Sequence, residues 1–140
     1  PKSAPTDSKA AGLYMICSLS KNEAENKGFD DALMLDYRGY IAEATGANIF
    51  FVKNGELFTP KPDCFLNGIT RQTVINLAKK LQLNVIEDHF QIDFLSTCSE
   101  AFLTGTAVEI TPISSIDNYK FNDRTITRKL INEFNKEVLG

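Results

Sequence analysis

Glu43-Ala44-Thr45-Gly46-Ala47-Asn48-Ile49-Phe50-Phe51-Val52-Lys53-Asn54-Gly55-Glu56-Leu57-Phe58-Thr59-Pro60 is the stretch from which the rest of the chain can be placed. Residues 48–53 and 56–59 read as strands. Between them stands Asn54-Gly55, the dipeptide best suited to a two-residue hairpin turn, because both central positions need positive φ. Upstream, residues 32–36 read as a strand, 37–39 as a turn and 40–43 as its hairpin partner, which puts Glu43 near a strand end. Downstream, residues 60–67 read as a loop. Thr70 is then placed to cap a helix running to Leu81, whose apolar face is Val74, Leu77, Ala78 and Leu81.

Further out, residues 84–90 alternate as a strand and 93–98 suit a short helix. Residues 100–103 form a strand leading into Thr104, Gly105 and Thr106, residues 109–116 precede a turn at Asp117-Asn118, and residues 123–138 close the chain as a helix. At the other end, residues 1–7 read as an extended arm with two prolines. Residues 10–26 carry Leu13, Ile16, Cys17 and Leu19 at helical spacing, with Gly28 as a stop and Lys9 just ahead of the helix. A start at Pro1 instead of Met reads as a cut. Strands early and helices between strands later predict a mixed α/β domain with a curved, partly antiparallel sheet.

At 140 residues the chain fits a single domain over residues 1–140, large enough to bury a core. A hydrophobic share of 43% with 24% charged residues is that of an ordinary globular protein. The net charge of −3, with 15 basic residues scattered among 18 acidic ones, argues against nucleic acid as a partner. No apolar run approaches the roughly 20 residues that cross a bilayer, and the N-terminus has no signal-peptide core. The expectation is a cytoplasmic protein with no membrane partner. Cys17, Cys64 and Cys98 lack the close spacing of a zinc or redox pair and read as free thiols. His89 is the only histidine, so no His-based metal site is expected.

Two short runs carry binding chemistry. Gly68, Ile69, Thr70 and Arg71 set backbone N–H groups at the start of a helix, where the macrodipole favours an anion. Thr104, Gly105, Thr106 and Ala107 offer a second group of donors and hydroxyls. Taken singly, Thr caps and Gly turns are common.

The spacing of Glu43, Thr45, Asn48, Ile49 and Phe50, then Leu57 and Thr59, then Leu66, Gly68, Ile69, Thr70 and Arg71 resembles the signature of the class IV aminotransferases, the fold-type IV enzymes that use pyridoxal 5'-phosphate. The run Ser8-Lys9-Ala10-Ala11-Gly12-Leu13-Tyr14 is similar to the family's lysine segment. The resemblance implies a curved sheet or pseudo-barrel with flanking helices, the large C-terminal domain of those enzymes. It also implies roles: Lys9 as the catalytic lysine that links to the cofactor aldehyde and carries protons, and Glu43 as the partner of the ring nitrogen. Tyr14 would face the ring oxygen, while Ile69, Thr70, Gly105 and Thr106 would hold the phosphate and Thr106 and Ala107 the substrate carboxylate.

Within the family the stretches 33–51 and 102–112 look most like branched-chain aminotransferases, although Ala47 departs from the Glu that many bacterial ones carry there. The implied reaction is transamination between leucine, isoleucine or valine and 2-oxoglutarate in a homo-oligomer. Aminodeoxychorismate lyase and D-amino acid aminotransferase share the framework, and an inactive folded module or dimerisation unit is the reading from another class. The resemblance spans Lys9 to about Ile116, so the family's N-terminal domain, which supplies an arginine to the phosphate and part of the side-chain pocket and dimer contact, is expected outside this chain.

Overall fold

The computed structural model describes residues 32–44, 46–62, 67–105 and 109–139. Its strands are β1 (Leu33–Leu35), β2 (Ile41–Ala44), β3 (Asn48–Lys53), β4 (Glu56–Pro60), β5 (Val85–Asp88), β6 (Glu100–Gly105), β7 (Glu109–Pro112), β8 (Ser115–Ile116) and β9 (Tyr119–Lys120). Among the described residues two α-helices, α1 (Ile69–Lys80) and α2 (Thr125–Leu139), and a 3-10 helix (Ile92–Thr97) accompany them. The helix expected over residues 10–26 lies outside the described residues.

The central sheet has five strands in the order β5-β4-β3-β6-β7. All neighbours are antiparallel except β4 and β5, which run parallel and are joined through α1. A parallel pair needs such a crossover, because a tight turn can only reverse the chain. Among the described residues this sheet is open at β5 and β7 and does not close into a barrel. The expected mixed α/β domain with a partly antiparallel sheet is therefore what the chain forms.

β3 and β6 lie at the centre and are buried on both faces, which is why Ile49, Phe50, Phe51 and Val52 form an unbroken apolar run. One face carries Phe50, Val52 and Phe102, against which α1 sets Val74, Leu77 and Ala78 and α2 sets Leu130 and Phe134. Phe50 and Phe102 stack with ring centroids 5.0 Å apart. The other face carries Ile49, Phe51 and Ala101, covered by Ile41 of β2, Phe90, Leu95 of the 3-10 helix and Phe121. The β1–β2 hairpin is fastened to this layer by the Ile41 N–H, which donates to the Phe90 carbonyl at 2.7 Å.

Asn54 and Gly55 make the predicted turn, with φ of 53° and 75°. One expectation needs correction and two gain detail. Thr70 does not cap α1: Gly68 occupies the N-cap and Thr70 is already helical. The short helix is 3-10, as suits a six-residue connector. The segment from Glu109 is broken at residues 113–114, and the expected turn at Asp117-Asn118 brings Tyr119–Lys120 back on Ser115–Ile116.

Candidate active site

β3 begins where several chemically useful groups meet. Asn48 opens this strand, is 6% exposed and pairs across the sheet with Thr104 of β6. Residues directly opposite on neighbouring strands share a face. On that face the Asn48 Oδ1 accepts a hydrogen bond from the Gly68 N–H at 3.2 Å. The start of α1 and the end of β6, far apart in sequence, are thus drawn to one place at Asn48.

The start of α1 suits an anion. Gly68 has no side chain to cap the helix and no acidic residue stands in the first turn, so among the described residues neither offers a competitor for the amides of Ile69 and Thr70. A Cβ at residue 68 would lie 2.7 Å from the Asn48 Oδ1, so any other residue there would displace the Asn48 side chain. Thr104 is 1% exposed, and its Oγ1 has no hydrogen-bond partner among the described residues. A buried hydroxyl left unpaired costs about 1–3 kcal/mol, which a bound acceptor on this face would recover. A helix N-terminus, a glycine cradle and an orphaned hydroxyl fit a phosphate group.

The predicted site residues are distributed as follows. Ile69 is the first residue of α1 and 83% exposed, and Thr70 follows it half-buried. Gly105 ends β6 opposite Glu109, whose φ of 52° is uncommon for a residue other than glycine. Glu43 is half-buried on β2 opposite Met34, one residue before the Ala44–Ala47 bridge that turns the chain into Asn48. The described candidates therefore stand on segments that converge at the start of β3. Lys9, Tyr14, Thr106 and Ala107 lie outside the described residues.

Two residues acquire roles that their sequence context does not reveal. The helix-start motif points to Arg71 only through its backbone N–H, yet its guanidinium is 1% exposed and clamped between α1, β4 and β5. Asn48 stands in the signature without an assigned task, and it is the strut that fixes Gly68. For Asn48 the available signal is a polar residue opening an apolar run, which implies a buried partner; Arg71, between Thr70 and Gln72, carries no such signal.

Other titratable groups stand apart. Burial pushes the Cys98 thiol up to about 11 against weaker opposing effects of Thr97 and Lys53, which marks it as an unreactive thiol. His89 stacks on Tyr40 at 5.1 Å. Among the described residues no three His, Cys, Asp or Glu side chains gather in a way that could hold a metal ion, and no helix is long and apolar enough to cross a membrane.

Comparison with known proteins places the chain in a family. The family model for amino-transferase class IV matches residues 1–116. A Rickettsia bellii protein named a probable branched-chain-amino-acid aminotransferase is 49% identical over all of this chain and 50% of its own length. The chain spans about half the length of the curated relatives it matches. Among solved structures, the branched-chain aminotransferase of Thermoproteus uzoniensis with norvaline superposes with a TM-score of 0.95 at 39% identity, over 99% of this chain and 47% of that one. The branched-chain amino acid aminotransferase of Thermobaculum terrenum in PLP form, the holo form, gives 0.94 at 39% identity, over 98% of this chain and 46% of that one. Signature, fold and relatives agree, and the chain belongs to the class IV aminotransferases.

Proposed function

We propose that this chain is the cofactor-binding part of a branched-chain aminotransferase, which exchanges an amino group between leucine, isoleucine or valine and 2-oxoglutarate. The observation that carries the reading is the anion cradle at the start of α1, where Gly68 is pinned to Asn48 and the buried Thr104 hydroxyl lacks a partner among the described residues. The PLP form of the Thermobaculum terrenum enzyme supports the choice of cofactor, and the names of the relatives support the choice of substrates.

When bound, pyridoxal 5'-phosphate supplies the electron sink that makes the substrate Cα proton removable. This chain's residues do the rest. The amides of Ile69 and Thr70, with Gly105 and Thr106, hold the phosphate. Glu43 keeps a proton on the pyridine nitrogen. Tyr14 orients the ring through its oxygen, and Thr106 and Ala107 receive the substrate carboxylate. Lys9 anchors the cofactor and moves the proton at Cα, for which it must work as a free amine. The side-chain pocket is completed by a further domain outside residues 1–140, in a homo-oligomer of the cytoplasm.

The test is turnover by the complete protein. Leucine and 2-oxoglutarate are expected to give glutamate, with Lys9→Ala reducing the rate to background. Pyruvate release from aminodeoxychorismate, or preference for D-amino acids, would overturn the substrate assignment; turnover surviving in Lys9→Ala would remove Lys9 from its role.

A further inference from the structure

Among the described residues Arg71 is the largest side chain with almost no exposure, a full positive charge withdrawn from water at the third position of α1. Removing a guanidinium from water costs several kcal/mol unless it is paired. Its pairing is directional. Nη1 donates to the Asn67 Oδ1 at 2.9 Å, just ahead of the Gly68 N-cap. Nη2 donates to the Pro60 carbonyl at the end of β4 at 3.0 Å and to the Glu87 Oε1 on β5 at 2.6 Å. The buried Nε has no acceptor among the described residues. Glu87 is 43% exposed, so the ion pair reaches from solvent to the core.

We infer that Arg71 is a positioning residue for phosphate binding: its planar fork fixes the first turn of α1 against β4 and β5, so that the amides of Ile69 and Thr70 point at the phosphate before it arrives. The inference rests on the reading of that turn as the cofactor phosphate site. Asn48 holds the same turn from the β3 side through Gly68. Between them the two side chains determine both flanks of a turn that has no cap of its own. A lysine keeps the charge but has no fork with which to hold Asn67, Pro60 and Glu87 together. Preorganised donors bind an anion without reorganisation, and their advantage disappears when the support loosens.

The experiment compares pyridoxal 5'-phosphate with pyridoxal, which lacks the phosphate, by absorbance titration of the complete protein in its wild-type, Arg71→Lys and Asn67→Ala forms. Wild-type binding of pyridoxal 5'-phosphate tests the functional reading alone, and its absence would sink that reading without reference to Arg71. Given binding, Arg71→Lys is expected to weaken pyridoxal 5'-phosphate by about tenfold or more, as loss of a supporting shell commonly does, while pyridoxal binding stays within about twofold. Asn67→Ala is expected to move the same ratio in the same direction by a smaller factor. Because Asn67 is exposed, that variant carries the test if Arg71→Lys fails to fold. A lower melting temperature with an unchanged ratio of the two affinities would overturn the inference, leaving Arg71 as a fold-stabilising residue only.

Discussion

Glu100 places a carboxylate, 1% exposed, under the start of α2, where Oε1 accepts from the Thr127 N–H at 2.9 Å and from its hydroxyl at 2.8 Å, and Oε2 accepts from the Ile126 N–H at 3.1 Å. This is a helix cap supplied from a strand 26 residues away, with the negative charge at the positive end of the helix. Removing it strands two amides and a hydroxyl, so Glu100→Ala is expected to cost about 3 kcal/mol in urea unfolding, and Thr127→Val about 1 kcal/mol. Nothing local in the sequence marks Glu100 as a cap: Asp123 is the better candidate by position, and it does accept from Thr125. Burial of charge by distant partners is invisible to spacing rules, for Glu100 as for Arg71. The Cys98 thiol gives a second expectation. Held well above its ordinary value by burial, it should react with iodoacetamide at pH 8 at least about tenfold more slowly in the folded chain than in urea. Equal rates would show that the thiol is not shielded.

Among the elements, those fixed by neighbouring residues were readable in advance and those fixed by tertiary contact were not. The β3–β4 hairpin follows from Asn54-Gly55, and its strands begin and end within one residue of expectation. The N-terminus of α1 does not follow, because Thr70 is a good cap and the site is instead decided by the bond from the Gly68 N–H to Asn48. The parallel pairing of β5 with β4 likewise depends on where α1 packs. A substitution tests the α1 junction directly. Gly68→Ala forces a Cβ to within 2.7 Å of the Asn48 Oδ1, so Asn48 must move and the bond must break. The expected cost is about 1–3 kcal/mol in stability, accompanied by weaker phosphate binding in the complete protein. A variant with wild-type stability and affinity would mean that the junction is looser than its geometry.

At the scale of the whole molecule, the site is a property of convergence. The α1 turn and the end of β6 meet at Asn48, the first residue of β3, and Glu43 stands one residue before the Ala44–Ala47 bridge that leads into it. The family signature encodes the order of Glu43, β3 and the start of α1 but does not reach the end of β6; composition and periodicity alone supply the strands and helices without their meeting point. Electrostatics of the fold give a pH expectation. Burial acts against ionisation of Asp36, but hydrogen bonds from the Arg38 side chain and the backbone N–H groups of Arg38 and Tyr40 outweigh it and lower its pKa. Hydrogen bonds from the Thr125 side chain and N–H lower that of Asp123. Folded values below 3.8 mean that these contributions are present above pH 3.8 and are lost as pH falls through the lowered values. Cys98 acts in the opposite sense, its contribution being present below pH 9.0 and lost as pH rises towards 11. Melting temperature against pH should therefore decline at both extremes, and Asp36→Asn should flatten the acid limb.

The most direct measurement is to reduce the complete protein with borohydride in the presence of pyridoxal 5'-phosphate and to map the modified lysine by peptide mass analysis. We expect a single phosphopyridoxyl group, on Lys9. Its appearance on another lysine, or on none, would contradict the placement of the cofactor on which this reading of the fold depends.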